Sequence, residues 1–547
     1  MGPLTSPPDV YIALMAQSAV FRTTGSAWAP FRHRTFTVIW IGTVVSNIGG
    51  WMSSAASGWL MTTLDSSPFI VAMVQVASSA PMFLLALPAG ALSDIVDRRK
   101  FLVFGELFIM ASSIVFAVLV SRHLITPGSL LLMTAIVSIG SALTAPPWGA
   151  VVPMLVPKAD LAPAIALNSA GFNVSRAVGP ALGGILVGAF GIASPFWVDA
   201  FSNAGVIGGL LSWKPPARER TRLPPERFGS AMRIGLRHAR YNPYLIATLI
   251  RAAAFVLFAS AFWALLPLVA LRQVGSSPAL YGILLGAIGA AGVGGTFVIP
   301  WVKSRLGCDR LLAVGTVGTA VATASFAMSR TPSITLIACI VAGASWITAL
   351  SALFISAQVA LPEWVRGRGL AVFQTVFFGA LTLGSVIWGE VGSVAGVTPA
   401  LLLAAAGASV AIPVSWRWKL QTGGDVDFTP SMHWSAPITI HEVEHDRGPV
   451  LVTIEYRIDP KNRGPFLRAL GRYSRERRRD GAYQWGLFED PSQDGRFVET
   501  FLTDSWLEHL RLHERVTKAD ELLEKIVWRF MVDGQRPKTT HLVGVHP

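Results

Sequence analysis

Three polar side chains lie within one long apolar stretch of the chain, at spacings that bring them together. Ser169, Asn173 and Arg176 are separated by four and three residues, so in a helix they share one face. A charged side chain at mid-membrane costs about 2.5–3.5 kcal/mol and normally faces a cavity or a partner. With Asn47 and Arg251, these residues are candidates for binding a polar group of a small molecule. A structural ion pair, or a side chain that reaches the membrane surface, is the alternative for each arginine.

Acidic side chains are rare in the apolar part of the chain, which makes each one a candidate for proton binding. Glu106, Asp199 and Glu390 lie within or near the ends of apolar runs. A carboxyl group that takes up and releases a proton is what proton-coupled transport requires. The alternatives are an ion pair of Glu106 with one of the two arginines, and solvated helix ends for Asp199 and Glu390.

Aromatic side chains are abundant, with 18 Trp and 29 Phe, and include Trp51 and Trp263. Some of them should line the path of an amphipathic molecule. For any single ring, packing or contact with lipid is the better interpretation.

Charge is distributed very unevenly along the chain. Of 547 residues, 52% are hydrophobic and 14% are charged, against about 25% charged in a soluble protein. Residues 448–547 carry 32 charged side chains and residues 1–447 carry only 45. A charge-poor body is therefore joined to a soluble tail. The chain has a net charge of +13, and most of the basic excess sits in short segments between apolar runs, which argues against nucleic acid as a partner and for a lipid bilayer.

Twelve apolar runs have the length of about 20 residues that a membrane-spanning helix needs. They fall near 36–63, 69–93, 101–121, 129–153, 163–190 and 195–213, and near 244–271, 279–301, 311–329, 333–360, 370–390 and 398–416. A Pro- and Arg-rich break separates the two sets of six. The sequence therefore predicts an all-α polytopic membrane protein of twelve transmembrane helices in two six-helix halves.

The basic residues between the runs predict the orientation. With both termini in the cytoplasm, 21 Lys and Arg face the cytoplasm and 3 face outside, as expected for a multi-pass protein of the cell membrane. The predicted organisation is an N-terminal cytoplasmic arm 1–34, helices 35–213, a cytoplasmic linker 214–243, helices 244–418, a linker 419–447, a soluble α+β domain 448–535 and a tail 536–547.

The segment between the second and third runs reads Gly-Ala-Leu-Ser-Asp-Ile-Val-Asp-Arg-Arg-Lys from position 90. It resembles the signature loop of the major facilitator superfamily through Gly90, Asp94, Arg98 and Arg99. It departs from that signature at 95 and 97, where the superfamily usually has Arg and Gly. The resemblance implies that Asp94 couples the two halves during a conformational change. The alternative is a charged turn whose cations face lipid headgroups.

A second motif, Gly179-Pro180-Ala-Leu-Gly183-Gly184, resembles the antiporter motif of exporters in the superfamily. Close packing of small residues between helices is the alternative. With the segment 362–369, the tripeptide 432–434 and the tail, the chain resembles the transmembrane secretion effector branch, near the siderophore exporters. That resemblance implies a secondary-active, proton-coupled exporter of a small amphipathic molecule, siderophore- or drug-like, that is not an enzyme.

The tail has a βαββα pattern, with strands at 449–458, 482–488 and 496–503 and helices at 462–480 and 506–530. This order predicts a ferredoxin-like α+β domain, similar to small antibiotic-biosynthesis monooxygenase domains, which implies self-association through the tail. His509 and His513 have the spacing of metal ligands on a helix, but no third ligand is evident, so we predict a solvated helix face without metal or cofactor. The alternative function is a membrane-tethered enzyme or ligand-sensing scaffold with its activity in this domain.

Overall fold

The computed structural model describes residues 26–215, 228–275, 277–422, 446–534 and 536–545. It also describes 427–429, 431, 433–434, 439 and 443–444, which lie between the last helix of the bundle and the tail domain. Most of the predicted N-terminal arm and parts of both predicted linkers lie outside the described residues. So do Met432 and the side chain of Asp94, although the backbone of Asp94 is described.

The first helix group has six helices. They are α1 Arg34–Leu64, α2 Pro68–Ile95, α3 Arg98–Ser121, α4 Pro127–Val151, α5 Leu161–Phe190 and α6 Ser194–Ser212. Two of these helices begin with proline, which fits the first turn because its missing N–H has no partner in a helix there. The bounds follow the six predicted runs closely.

The second helix group follows a short amphipathic helix, α7 Phe228–Tyr241, which lies in the predicted linker. Its members are α8 Pro243–Leu268, α9 Pro278–Met328, α10 Pro332–Val359, α11 Arg366–Ala395 and α12 Val397–Ser415. Helix α9 contains a break at Gly307, whose φ of 71° is not helical, and this break separates the two runs that the sequence predicts there.

Eight of the described helices, α2–α4 and α8–α12, are long and apolar enough to cross a membrane, with α9 taken as one helix despite its break. Helices α1, α5 and α6 carry more polar and small side chains. The architecture is therefore a mostly helical membrane bundle.

The two helix groups meet along two helix pairs, α2 with α11 and α5 with α9. A Cβ atom placed on Gly184 of α5 would lie 2.5 Å from the carbonyl oxygen of Pro278 and 2.9 Å from the Cα of Gly282, both on α9. Such contact between backbones requires glycine on both helices.

The tail domain is a four-stranded antiparallel sheet covered by helices on one face. Its elements are β1 Val450–Arg457, α13 Arg463–Asp480, β2 Tyr483–Glu489, β3 Arg496–Thr503, α14 Trp506–Arg515, α15 Lys518–Trp528 and β4 Lys538–Val543. The strand order is β2-β3-β1-β4. The inward side chains of β1, among them Val452 and Tyr456, pack in the core with Phe466 of α13.

The structure corrects the prediction for this domain at two points. The segment predicted as a tail after residue 535 contains β4, which pairs with β1 from Val450↔Val543 to Glu455↔Lys538. The predicted helix 506–530 is two helices: the first ends at Arg515, and Thr517 caps the second through a capping box with Asp520.

The tail domain contacts one end of the helix bundle, which we call the domain end; the opposite end is the far end. Arg237 of α7 donates a hydrogen bond of 2.5 Å to the carbonyl of Gly481, and Arg233 lies 3.6 Å from Asp504. The guanidinium of Arg515 on α14 lies 4.6 Å from the centre of the Trp364 ring, in the connection between α10 and α11.

Candidate functional site

A cavity of about 90 Å³ lies between the two helix groups. Helices α1, α2 and α5 line it from the first group, and α8 and α9 line it from the second. The residues that form its wall are Trp51, Ser54, Ala55, Gly58, Val71, Val74, Gln75, Ser78, Arg176, Pro180, Trp263, Ala264, Pro267, Tyr281, Leu285 and Gly289. It is smaller than the roughly 300–1,000 Å³ of a typical small-molecule site, so this form is too closed to hold a drug-sized ligand.

Among the described residues, Arg176 is the only basic one on the wall of this cavity. Its guanidinium carbon lies 5.7 Å from the centre of the Trp51 ring and 5.5 Å from the centre of the Trp263 ring. In the described part of the chain, its side chain has neither an ion pair nor a hydrogen bond. A cation held between two indoles, without a carboxylate, remains available to an anionic group of a ligand.

The rest of the wall is mainly apolar, with a few polar groups from α1, α2 and α9. Gln75 and Ser78 come from α2, and the Ser78 hydroxyl donates 2.9 Å to the carbonyl of Val74. Tyr281 supplies a phenol from α9. An aromatic and aliphatic wall with one cation suits an amphipathic anion.

The far end of the cavity is closed by contacts between the two helix groups. The rings of Trp59 and Tyr281 lie 5.7 Å apart, and Arg272 donates a hydrogen bond to the carbonyl of Ser66. The Gly184–Gly282 approach lies on the same side.

The motif residues Gly179, Pro180, Gly183 and Gly184 form the surface by which α5 approaches its neighbours. A Cβ on Gly179 would lie 2.6 Å from that of Trp51, and one on Gly183 would lie 3.0 Å from the Cα of Met52. Pro180 lies on the cavity wall. The contacts of these residues are therefore those of close helix packing, and their role in antiport stays a prediction.

Two of the three predicted proton-binding acids are buried in the first helix group. The Trp148 indole donates 3.1 Å to Glu106, and the Ser113 hydroxyl donates 2.9 Å to Asp199. Both side chains are almost fully buried, and neither has a basic partner among the described residues. An ionised carboxylate in that setting is costly. Glu390 is exposed on α11, away from this pair.

Arg251 does not lie on the cavity, contrary to its assignment as a cavity residue. Its buried side chain forms an ion pair with the partly exposed Asp309, which also accepts a hydrogen bond of 3.1 Å from the backbone N–H of Leu420. Asp309 lies two residues after the break in α9 and 58 residues after Arg251 in the sequence. The local sequence around Arg251 therefore could not identify this partner.

The remaining polar candidates are likewise not on the wall of the closed cavity. Asn47 is half-buried on α1. The Asn173 amide donates 2.9 Å to the carbonyl of Ser169, whose own side chain is exposed. Their role in binding stays a prediction for a more open form.

The signature loop lies at the domain end, between α2 and α3. A Cβ on Gly90 would lie 4.0 Å from that of Ala371 on α11, in the other helix group. Arg99 donates 2.8 Å to the carbonyl of Leu210 and caps the end of α6, while Arg98 lies 3.9 Å from the Met154 sulfur. Asp97, a departure from the signature, caps α3 by accepting from the backbone N–H of Lys100.

The prediction of a solvated helix face at His509 and His513 is wrong for His509, which is 1% exposed. Helix α14 packs on the sheet with His509 inward, and β4 brings His541 beside it. Because β4 was not predicted, the sequence offered no signal for this third histidine.

The sequence matches the transmembrane secretion effector family over residues 25–546. It is 27% identical over 252 residues to an uncharacterized MFS-type transporter, YfiS, of Bacillus subtilis (strain 168), covering 45% of this chain and 59% of that protein. It is 24% identical over 246 residues to macrolide efflux protein A of Streptococcus pyogenes, covering 44% and 60%. The chain thus spans less than two thirds of the length of these curated relatives.

Solved structures share the fold at low identity. A POT family transporter in complex with 5-aminolevulinic acid matches with a TM-score of 0.58 and 12% identity, over 70% of this chain and 96% of that one. A bacterial homologue of the human lysosomal transporter Spinster, inward-facing and unoccupied, matches with a TM-score of 0.57 and 14% identity, over 72% and 97%.

The named relatives are transport proteins rather than enzymes, and the family match extends over nearly the whole chain. The helix bundle with a cavity between two helix groups agrees with that match. The chain is a member of the transmembrane secretion effector family of the major facilitator superfamily.

Proposed function

We propose that this protein is a proton-coupled secondary exporter of small amphipathic anions, siderophore- or drug-like, in the cell membrane. Its relatives include proteins named macrolide efflux protein A, staphyloferrin A transporter and multidrug efflux pump Tap. Those names support export as the class of activity.

The observation that carries the proposal is Arg176 on the wall of the cavity. The guanidinium has an indole from each helix group beside it and no acidic partner in the described chain. Cation–π contact contributes about 0.5–2 kcal/mol, which holds the cation in place without neutralising it. A carboxylate of the cargo is the group that such a cation binds best.

The proposed membrane topology has twelve spans, α1–α6, α8, the two segments of α9, and α10–α12. The domain end then faces the cytoplasm, as the excess of Lys and Arg at that end favours. Reporter fusions after Lys158 and Lys419 should report the cytoplasm, and one after His123 the outside. A cytoplasmic signal after His123 would rule out this map.

In this topology the far end faces outside, and its closure corresponds to a form of the transporter that is shut to the exterior. Export then requires the α5–α9 contact at Gly184 and Gly282 to separate at the far end. At the domain end, the signature loop and α11 change their contact in the same step. Gly90 and Asp94 are the proposed coupling residues, with Arg98 and Arg99 holding the loop to the first helix group.

We assign proton binding to Glu106 and Asp199. Both carboxyl groups are buried without a basic partner among the described residues, and an alternating opening would change their access to water. Both helices that carry them, α3 and α6, belong to the first helix group.

The tail domain is proposed to be ferredoxin-like, since the order β2-β3-β1-β4 with helices on one face is what that fold requires. Self-association through this domain is a further part of the proposal, and it rests on the resemblance to domains that pair.

The test is flux in proteoliposomes that contain the purified full chain, with an imposed pH gradient and a panel of anionic, neutral and cationic amphipaths of similar size. We expect gradient-dependent movement of anions that a protonophore abolishes. A chain cut after Gln421 should retain this flux. Turnover of an aromatic compound by the full chain, with no flux of any compound, would support the membrane-tethered enzyme instead.

A further inference from the structure

Three histidines meet on the helix-covered face of the tail domain. His509 and His513 are four residues apart on one face of α14. His541 lies on β4 directly opposite Val452 of β1, so it points to the same side of the sheet as that buried valine. The centre of the His509 ring lies 4.9 Å from the centre of the His513 ring and 4.6 Å from the centre of the His541 ring.

The geometry of the three rings is close to that of a metal site. One potential ligand atom from each histidine lies within 4.8 Å of the other two. With metal–nitrogen distances of about 2.0–2.1 Å, tetrahedral coordination places ligand nitrogens about 3.4 Å apart. Small rotations of the three side chains therefore suffice to bring the nitrogens to one ion.

The second observation is the state of His509. This side chain is 1% exposed, and neither of its ring nitrogens has a hydrogen-bond partner among the described residues. An imidazole always has a donor or an acceptor on each nitrogen, and burying both without partners is costly. A metal ion bound by one of these nitrogens supplies the missing interaction.

The surroundings fit a cation bound by neutral imidazoles. The Trp506 ring lies 5.5 Å from His509, and the Trp434 ring lies 5.2 Å from His513, so the walls are aromatic. His513 and His541 are partly exposed, which leaves a path for an ion from solvent. No carboxylate joins the three histidines in the described chain, so one tetrahedral position is left for water or an outside ligand.

We propose that His509, His513 and His541 bind one divalent cation of the zinc class, with a fourth position open to solvent. Three imidazoles suit zinc, nickel and copper better than magnesium or calcium, which prefer oxygen ligands. The ion links the last strand of the sheet to α14. This helix also carries Arg515, which contacts Trp364 of the membrane domain.

The experiment uses the full chain, purified in detergent and stripped with a chelator. Zinc chloride is titrated by calorimetry, and cobalt chloride is titrated in parallel to record the visible absorption bands of a four-coordinate cobalt ion. We expect one tight site per chain. His513→Gln and His541→Gln, whose side chains are partly exposed, should each weaken zinc binding by about 100-fold or more, since even outer-shell partners are worth roughly 10–100-fold.

The matched control is a variant in which His441 and His445 are both replaced by Gln, because these two are also four residues apart in the sequence. It should bind zinc as the wild type does. Elution volume and thermal midpoint without metal establish that each variant is folded. The proposal is overturned if the wild type shows no cobalt spectrum of nitrogen ligation, if the His513 and His541 variants bind like wild type, or if the control variant loses the site.

Discussion

The Arg176 guanidinium and the Trp263 ring lie 5.5 Å apart and belong to different helix groups. Arg176 is on α5 and Trp263 is on α8, so the contact spans the boundary along which the cavity forms. In the proposed transport cycle the two groups move relative to one another, and this contact would change with that movement. The position of the Arg176 charge on the cavity wall would therefore depend on whether the bundle is closed.

The approach of α5 to α9 gives a first prediction about closure of the far end. In Gly184→Ala the new methyl group would meet the Pro278 carbonyl at 2.5 Å, so the far end cannot close as it does here. We expect flux to fall by about tenfold or more and the bundle to lose about 1–3 kcal/mol from overpacking. Flux in proteoliposomes and the thermal midpoint in detergent measure the two effects.

Gly188→Ala is the matched control, because it lies one turn further along the same helix and a Cβ there meets nothing within 4 Å. It should retain wild-type flux. Equal flux in the two variants would mean that the close contact at Gly184 is not needed.

The buried acids give a second prediction, about coupling to protons. Asp199→Asn keeps an oxygen that accepts from Ser113, and Glu106→Gln keeps one that accepts from Trp148, but neither can release a proton. We expect each variant to lose accumulation driven by a pH gradient and to retain exchange of labelled for unlabelled cargo. Glu363→Gln, whose side chain is 90% exposed, should behave as the wild type. Gradient-driven accumulation at the wild-type level in both acid variants would remove these residues from the proton path.

The joint between α7 and the tail domain gives a third prediction, about pH. Burial, followed by the positive charges of Arg479 and Arg515, holds the pKa of His238 well below its usual 6.5, although Asp480 lies 3.8 Å away. The undocked state therefore binds a proton at a pH where the docked state does not. The free energy of docking between α7 and the tail domain is therefore most favourable above about pH 6.5 and becomes less favourable as the pH falls below that value.

Spin labels on Arg240 and Glu514, both exposed, report this change as a broader distance distribution at pH 5.5 than at pH 7.5. His238→Gln should show little difference between the two pH values. If the wild-type distribution is the same at both, His238 does not control the joint.

Much of the fold could be predicted from sequence because membrane-spanning runs are long and apolar. The break at Gly307 even falls between two predicted runs. The strand β4 could not be predicted in the same way. Its outward residues, Lys538, Thr540 and Leu542, are exposed, and the strand is held by pairing with β1, which is distant in sequence. Without knowledge of that pairing, nothing in the sequence indicates that His541 lies near His509.

The site was only partly predictable for a related reason. Arg176 could be singled out because a cation is rare in an apolar run, and the structure places it on the cavity. Trp51 and Trp263 were two among 18 Trp, and only the three-dimensional packing selects them. Arg251 had the same sequence signal as Arg176, but its partner Asp309 lies on another helix.

The most direct test of the account is flux of one anionic amphipath and its neutral methyl ester by wild-type, Arg176→Lys and Arg176→Gln proteins in proteoliposomes. A hydrogen bond to a charged group is worth about 1.5–3 kcal/mol, so Arg176→Gln should lower the transport efficiency of the anion by about 10–100-fold. The ester should be affected far less, and Arg176→Lys should retain part of the preference for the anion. Equal loss for anion and ester, or no loss for either, would contradict the claim that Arg176 binds the cargo.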